Sequence, residues 1–195
     1  MNLRHSLQAT LFALALAAPA FAQQPPQRPD PQALVAAQKA ALAPLAFLDG
    51  IWRGEARHIG PDGTPHVMVQ TERVGPLLDG AIKVIEGRGY DADGRSVFNA
   101  FGVLSWDVGR QAFNFRSNAM GQSGDFAFRA TADGFAWEIP AGPMTLRYTA
   151  TIKDGTWHEV GDRVAADGTA SRFFEMTLAR LGNSDWPAGG AVPMR

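Results

Sequence analysis

The stretch Leu45-Ala46-Phe47-Leu48-Asp49-Gly50-Ile51-Trp52-Arg53-Gly54-Glu55 decides the fold, because it turns a helical segment into the first of many short β-strands. Leu45, Phe47 and Leu48 close the helical part. Asp49-Gly50 then allows a sharp change of direction, since glycine tolerates positive φ, and residues 51–59 read as extended. Upstream, residues 31–44 carry good helix formers, with Asp30 as N-cap, Pro31 at the first helical position and Pro44 as the stop. Leu34, Leu42 and Leu45 supply an apolar stripe on an otherwise shallow, Ala-rich face.

Beyond residue 51 the helical period disappears. Short runs rich in Val, Phe, Thr and Trp alternate with turn signals about every ten residues, the spacing of a sandwich or barrel. The signals place Gly63, Gly80, Gly94, Gly109, Gly134, Gly155 and Gly168 where tight hairpins need positive φ. The runs between them predict about ten strands, at 51–59, 65–74, 81–89, 96–106, 111–117, 124–130, 135–139, 144–152, 156–163 and 169–180. Phe113 and Phe115 alternate with Asn114 and Arg116, Phe126 and Phe128 with Ala127 and Arg129, Phe135 and Trp137 with Ala136 and Glu138, as a barrel wall requires. No helix is long enough for a crossover, so consecutive strands pair antiparallel, and closure removes the exposed edges. The expected fold is all-β, an up-and-down antiparallel barrel of about ten strands with a short N-terminal helix. The alternative, a β-sandwich, needs longer Greek-key connections than these loops provide.

Size and charge set limits on function. With 195 residues, 46% hydrophobic content and a formal net charge of -1, the chain suits one globular domain with an ample core. Its 18 Lys+Arg are scattered among 19 Asp+Glu, which argues against a nucleic-acid partner. Arg4 and His5, the apolar run 7–18 and Ala20-Phe21-Ala22 predict a cleaved signal peptide over 1–22, followed by a Pro/Gln-rich spacer to residue 30. The apolar run is too short to span a bilayer, so no integral span is expected in the mature chain. There is no Cys, which excludes a lipid-modified N-terminal Cys, disulfides and Cys-based zinc sites. The expected location is periplasmic or secreted. The domain arrangement is then helix 31–44, barrel 45–181 and a loose tail over 182–195.

Gly50-Ile51-Trp52 after an apolar helical turn resembles the G-x-W that opens the first strand of lipocalin-like (calycin) proteins. The longer stretch 47–55 is more similar to nitrobindin-like barrels and to an uncharacterised family of secreted bacterial lipocalin-like domains, whose last strand Arg172-Phe173-Phe174-Glu175-Met176-Thr177-Leu178-Ala179-Arg180 also resembles. The resemblance implies that Trp52 plugs the closed end of the barrel and that Arg180 packs across it. A cation over an indole in a desolvated place is worth up to about 2 kcal/mol. It also implies haem as a cofactor, with His158 in the region where nitrobindin-like proteins carry their haem ligand, although the local motif around that His is not reproduced.

Chemistry is sparsely marked. His58, His66 and His158 show no metal-ligand spacing, no G-x-S-x-G is present, and Gly87-Arg88-Gly89 lacks the helix a phosphate loop needs. Glu72, Glu86, Glu138, Glu159 and Glu175 sit singly on separate strands, and alternation turns several of them outward. On the strand around His158, burying Trp157 turns His158 outward, and this parity argues against haem ligation.

Ten strands enclose more volume than the eight that side chains alone just fill, so a lumen is expected. Its expected lining is Phe113, Phe115, Phe126, Phe128, Trp137, Tyr148 and Trp157, with Arg73 and Arg147 as polar groups for a ligand head. The expected function is an exported lipocalin-like binding protein for a small hydrophobic or amphipathic molecule, without a metal or other cofactor. The alternatives are an enzyme acting on a small apolar substrate in the lumen, a haem-binding nitrobindin-like protein, and a structural envelope module. An enzyme would require an inward Glu or His. A second copy of the chain is a further partner class, through an exposed apolar patch or an open barrel edge.

Overall fold

The structure, a computed structural model, describes residues 29–60, 62–186, 192 and 194. The expected signal peptide, and the spacer up to residue 28, lie outside the described residues. Helix α1, Pro31–Leu42, starts where the Asp30 carboxylate accepts the Gln32 backbone N–H at 3.0 Å and Pro31 presets the first turn. A 3₁₀ segment, Ala43–Leu48, continues it, because Pro44 has no N–H to extend the α-helical ladder.

Ten strands follow: β1 (Gly50–Ile59), β2 (Pro65–Leu77), β3 (Ile82–Tyr90), β4 (Ser96–Asp107), β5 (Ala112–Ala119), β6 (Gln122–Ala130), β7 (Gly134–Ala141), β8 (Met144–Lys153), β9 (Thr156–Ala165) and β10 (Ala170–Gly182). Each pairs antiparallel with its sequence neighbour, and β1 pairs β10 to close the barrel. Most turns use the expected glycines, but Gly109 and Gly134 lack the positive φ expected of them: Gly134 already belongs to β7, and in the β4–β5 turn Gln111 carries a φ of 52° instead. Asp154-Gly155 carries φ of 51° and 72°, and Met120-Gly121 carries 49° and 81°, the double positive φ that matches hairpin twist.

Alternation divides each strand into a core face and a solvent face. On β2, Gln70, Glu72 and Val74 are buried while Thr71 and Arg73 between them are only half-buried. On β9, Trp157 and Glu159 are buried while His158 is exposed. The core at one end gathers Leu42, Leu45 and Leu48 from the helical lead-in with Trp52, Val74, Leu104 and Leu178 from the wall. Trp52 is 1% exposed and donates its indole N–H to the Leu48 carbonyl at 3.0 Å. An ion pair from buried Lys83 to Asp49 ties the same corner to β3. The end where the helical segment sits is therefore plugged, and the hairpins β1–β2, β3–β4, β5–β6, β7–β8 and β9–β10 surround the opposite end.

The tail expected to be loose from residue 182 is held as far as Trp186. Arg73 pairs with Asp185 at 2.6 Å and stacks over the Trp186 ring at 4.2 Å. Among the described residues no helix is long and apolar enough to cross a membrane.

Candidate functional site

The barrel encloses a cavity of about 670 Å³ that opens between the hairpins. The apolar wall comes from the inward positions of β5 to β9. Trp137 and Tyr148 stack at 4.3 Å with a 9° interplanar angle, and Phe115 meets Trp137 edge-on at 5.2 Å. Phe128 stacks on Phe135 at 5.2 Å, and Phe135 meets Trp157 edge-on at 5.8 Å. Trp157 in turn meets the plug residue Trp52 edge-on at 5.7 Å, so the aromatic wall continues into the floor.

Two buried carboxyls face this lumen, with a third, Asp91, at its mouth. Glu159 of β9 receives two indole donors, Trp137 Nε1 to Oε1 at 3.2 Å and Trp157 Nε1 to Oε2 at 3.0 Å. Glu72 of β2 receives Gln70 Nε2 on Oε1 at 2.7 Å. Burial pushes Glu72 up to about 8; the Gln70 bond opposes this, and the charges of Glu159 and Glu86 add to it. Burial likewise pushes Glu159 up to about 7 against the pull of its two indole bonds. The amide oxygen of Gln70, a residue only 2% exposed, is buried without a partner. At the mouth the rings of His58 and His66 stack at 4.8 Å. Burial, and then the neighbouring His66, hold His58 below its ordinary pKa. Such a lumen can enclose an apolar body, engage a polar head at the carboxyls, and exchange a proton near neutral pH.

Of the seven aromatic residues expected to line the lumen, six face the cavity. Phe115, Phe126, Phe128, Trp137, Tyr148 and Trp157 line the cavity. Phe113 faces inward but packs edge-on against Trp106 at 4.9 Å and Phe128 at 5.5 Å, outside the cavity wall. Arg73 and Arg147 do not reach the lumen. Arg73 alternates with inward Glu72 and is spent on Asp185 and Trp186, and Arg147 pairs with Glu138 on the solvent face at 2.7 Å. The ionisable groups buried in the lumen are thus acidic where basic residues were expected.

The plug also differs in detail. Trp52 is buried as the resemblance implies, but the Arg180 guanidinium does not lie over its ring. Although the β1–β10 ladder sets Arg180 opposite Trp52, its guanidinium donates to the Asp49 carbonyl at 3.0 Å and to Asn183 at 2.8 Å. His158, the haem candidate, bonds Glu175 on the outer face at 3.0 Å and cannot reach a group in the lumen. Among the described residues no cluster of three or more potential metal ligands occurs.

Sequence reasoning passed over Gln70 and left Glu72 and Glu159 unassigned. The signal for Glu159 was available: it lies two residues from Trp157, so the parity that buries the indole also buries the carboxyl.

No family model matches the chain, and no curated protein matches it in sequence. Among solved structures the barrel is similar to the crystal structure of Rv2717c from M. tuberculosis, with 16% identity, a TM-score of 0.54, and coverage of 72% of this chain and 96% of that one. At that identity the likeness concerns the fold: a closed, ten-stranded antiparallel barrel.

Proposed function

We propose that the protein is an exported, lipocalin-like carrier that encloses one small, largely apolar molecule in its lumen. The observation that carries this reading is the cavity of about 670 Å³, walled by stacked aromatic rings and open at one end. Small-molecule sites are built this way, with a few polar groups set into an apolar concavity. Export rests on the leader pattern of residues 1–22, and calycin kinship on the G-x-W at Gly50-Ile51-Trp52. The test is titration with the neutral apolar dye N-phenyl-1-naphthylamine. A saturable one-to-one fluorescence rise, with quenching of the protein's own indoles, is expected. Absence of binding by the folded protein overturns the reading.

A second reading, proton-transfer catalysis in the same lumen, is favoured by one observation: Glu72 and Glu159 both face inward, with carboxyls raised toward neutrality. Its test is hydrogen–deuterium exchange at the α-carbon of small apolar ketones. Exchange that Glu159→Gln abolishes favours the enzyme, and exchange no faster than in buffer removes it.

A further inference from the structure

The indole and amide N–H groups that reach the lumen's two buried carboxyls are already used; the other donors of the lining are the Tyr148, Ser117 and Ser123 hydroxyls, the Gln122 amide and the imidazoles at the mouth. Trp137 and Trp157 spend their N–H groups on Glu159, and the Gln70 amide nitrogen is spent on Glu72. The Gln70 Oε1 has no donor, and each carboxylate has lone pairs to spare. Among the described residues no Lys or Arg lines the cavity; Lys83 is committed to Asp49, and Arg163 lies over the Phe173 ring at 4.6 Å. The other ionisable groups around the carboxyls are Tyr148, whose burial pushes its hydroxyl up to about 12, Glu86 beside Glu72, and His58, His66 and Asp91 at the mouth. A buried carboxylate with no cation of its own, next to an orphaned acceptor and beneath stacked rings, lacks a counter-charge that also donates hydrogen bonds.

We propose that the natural ligand class is an apolar primary amine, its ammonium received by Glu159 and Glu72 with one N–H to Gln70 Oε1, and its hydrocarbon body against Trp137, Tyr148 and Phe126. This rests on the carrier reading and deepens it. The ammonium supplies three donors, and its charge draws both carboxyls into the ionised form, which only accepts. The aromatic faces add attraction for the charge, and charge-assisted hydrogen bonds are about twice as strong as neutral ones. A carboxylate ligand meets like charge in the same place, and an alcohol supplies one weak donor.

Isothermal titration at pH 7.5 with octylamine, octanol, octanoate and octyltrimethylammonium keeps the hydrocarbon constant and varies only the head. Octylamine should bind at least about tenfold tighter than octanol or octanoate, a difference of about 1.4 kcal/mol. Octyltrimethylammonium, which has charge but no N–H, should bind more weakly than octylamine. In Glu159→Gln and in Glu72→Gln the preference for octylamine over octanol, measured within each variant, should largely disappear, with circular dichroism reporting that each variant is folded; a preference kept in both folded variants overturns the assignment. In wild type at pH 6.5, amine binding should release a proton, seen as an apparent enthalpy that varies with the buffer's ionisation heat. Octanol or octanoate binding as tightly as octylamine overturns the amine assignment while the carrier reading stands. Equal affinity for octyltrimethylammonium overturns the hydrogen-bonded primary amine. Failure of every octyl compound and of the neutral dye removes the carrier reading itself.

Discussion

Trp157 and Glu159 start from the same face of β9, and the indole N–H of Trp157 donates to Glu159 Oε2 at 3.0 Å. This contact joins the two parts of the lumen, since the donor ring also abuts the plug residue Trp52 and the acceptor stands among the cavity's aromatic walls. An in-strand pair separated by one outward residue is fixed by backbone parity, so the carboxyl is held without a flexible loop. Trp137, from β7, brings the second donor at 3.2 Å from 22 residues away in sequence, and closure of the sheet sets that approach. The site is therefore a property of the barrel wall, and its polarity follows from which parity each strand adopts.

Stability should fall as pH rises above about 5. Glu72 and Glu159 have folded-state pKa values raised to about 8 and about 7 from 4.5. In the unfolded chain they ionise from pH 4.5 upward, so the unfolded state binds fewer protons across that window. The contribution is fully present below 4.5 and is lost as pH climbs through about 7 and 8. Asp62, Asp91, Asp167 and Glu175 have lowered pKa values, so what they contribute disappears at acid pH instead. Thermal unfolding should show a midpoint near its highest at about pH 5 and lower by on the order of 5 °C at pH 9. Glu72→Gln should flatten that decline, and an unchanged slope would contradict the inward placement.

Removing an indole donor should move the Glu159 titration upward. In Trp157→Phe the ring volume is largely kept, but Oε2 loses its 3.0 Å bond, and a bond to the charged form is one of the forces holding this pKa down. Carbon-detected NMR of the side-chain carboxyl should show the midpoint displaced upward by on the order of one unit, with stability reduced by about 1–3 kcal/mol. Phe126→Leu lines the same cavity and does not bond Glu159, so it should leave the titration in place.

The scaffold was more legible than the site because the two are written in different signals. Turn glycines such as Gly155 and Gly121 and the Phe/Trp alternation of β5 to β7 are local, and local signals were enough for ten antiparallel strands. Strand ends moved by a few residues: β2 runs on to Leu77 and β6 begins at Gln122. The site depends on parity. On β2 the sequence Val67-Met68-Val69-Gln70-Thr71-Glu72-Arg73-Val74 has apolar residues on both faces, so periodicity does not say whether Glu72 or Arg73 points inward. The paired strand decides it: Glu72 stands opposite Trp52, and the inward indole carries the Glu inward with it. Arg147 is a different case: Met144, Leu146, Tyr148, Ala150 and Ile152 alternate with Thr145, Arg147, Thr149 and Thr151, so the parity that turns Tyr148 inward already turns Arg147 outward, to Glu138 across the β7–β8 ladder. The docking of Trp186 on Arg73 rests on a contact between distant parts of the chain that no local pattern records.

Gly54 should tolerate no side chain. A Cβ placed there would lie 2.0 Å from the Thr177 carbonyl oxygen and 2.8 Å from the Leu178 Cα, both backbone atoms of the strand that closes the barrel. Relief would require β1 and β10 to separate at the seam. Gly54→Ala is expected to cost about 1–3 kcal/mol, or more if the barrel opens, by chemical denaturation. Gly182, at the end of β10 with open space around it, serves as the control: Gly182→Ala should stay within about 0.5 kcal/mol of wild type.

His158 should matter little for stability and not at all for the lumen. Its ring bonds Glu175 on the outer wall, where the two side chains are 46% and 54% exposed, and pairs this exposed are weak and screened by salt. An inward His158 would require β9 to slip by one residue. That slip would expose Trp157 and Glu159 together, break both indole bonds to the carboxyl, and remove the ring that abuts Trp52. Any haem response of the protein should therefore be independent of this residue. Adding ferric haem to wild type and to His158→Ala should give superimposable Soret spectra, and the variant should bind octylamine as wild type does. A tight one-to-one haem complex abolished only in His158→Ala would show that β9 adopts the other register, with Trp157 and Glu159 outside the lumen.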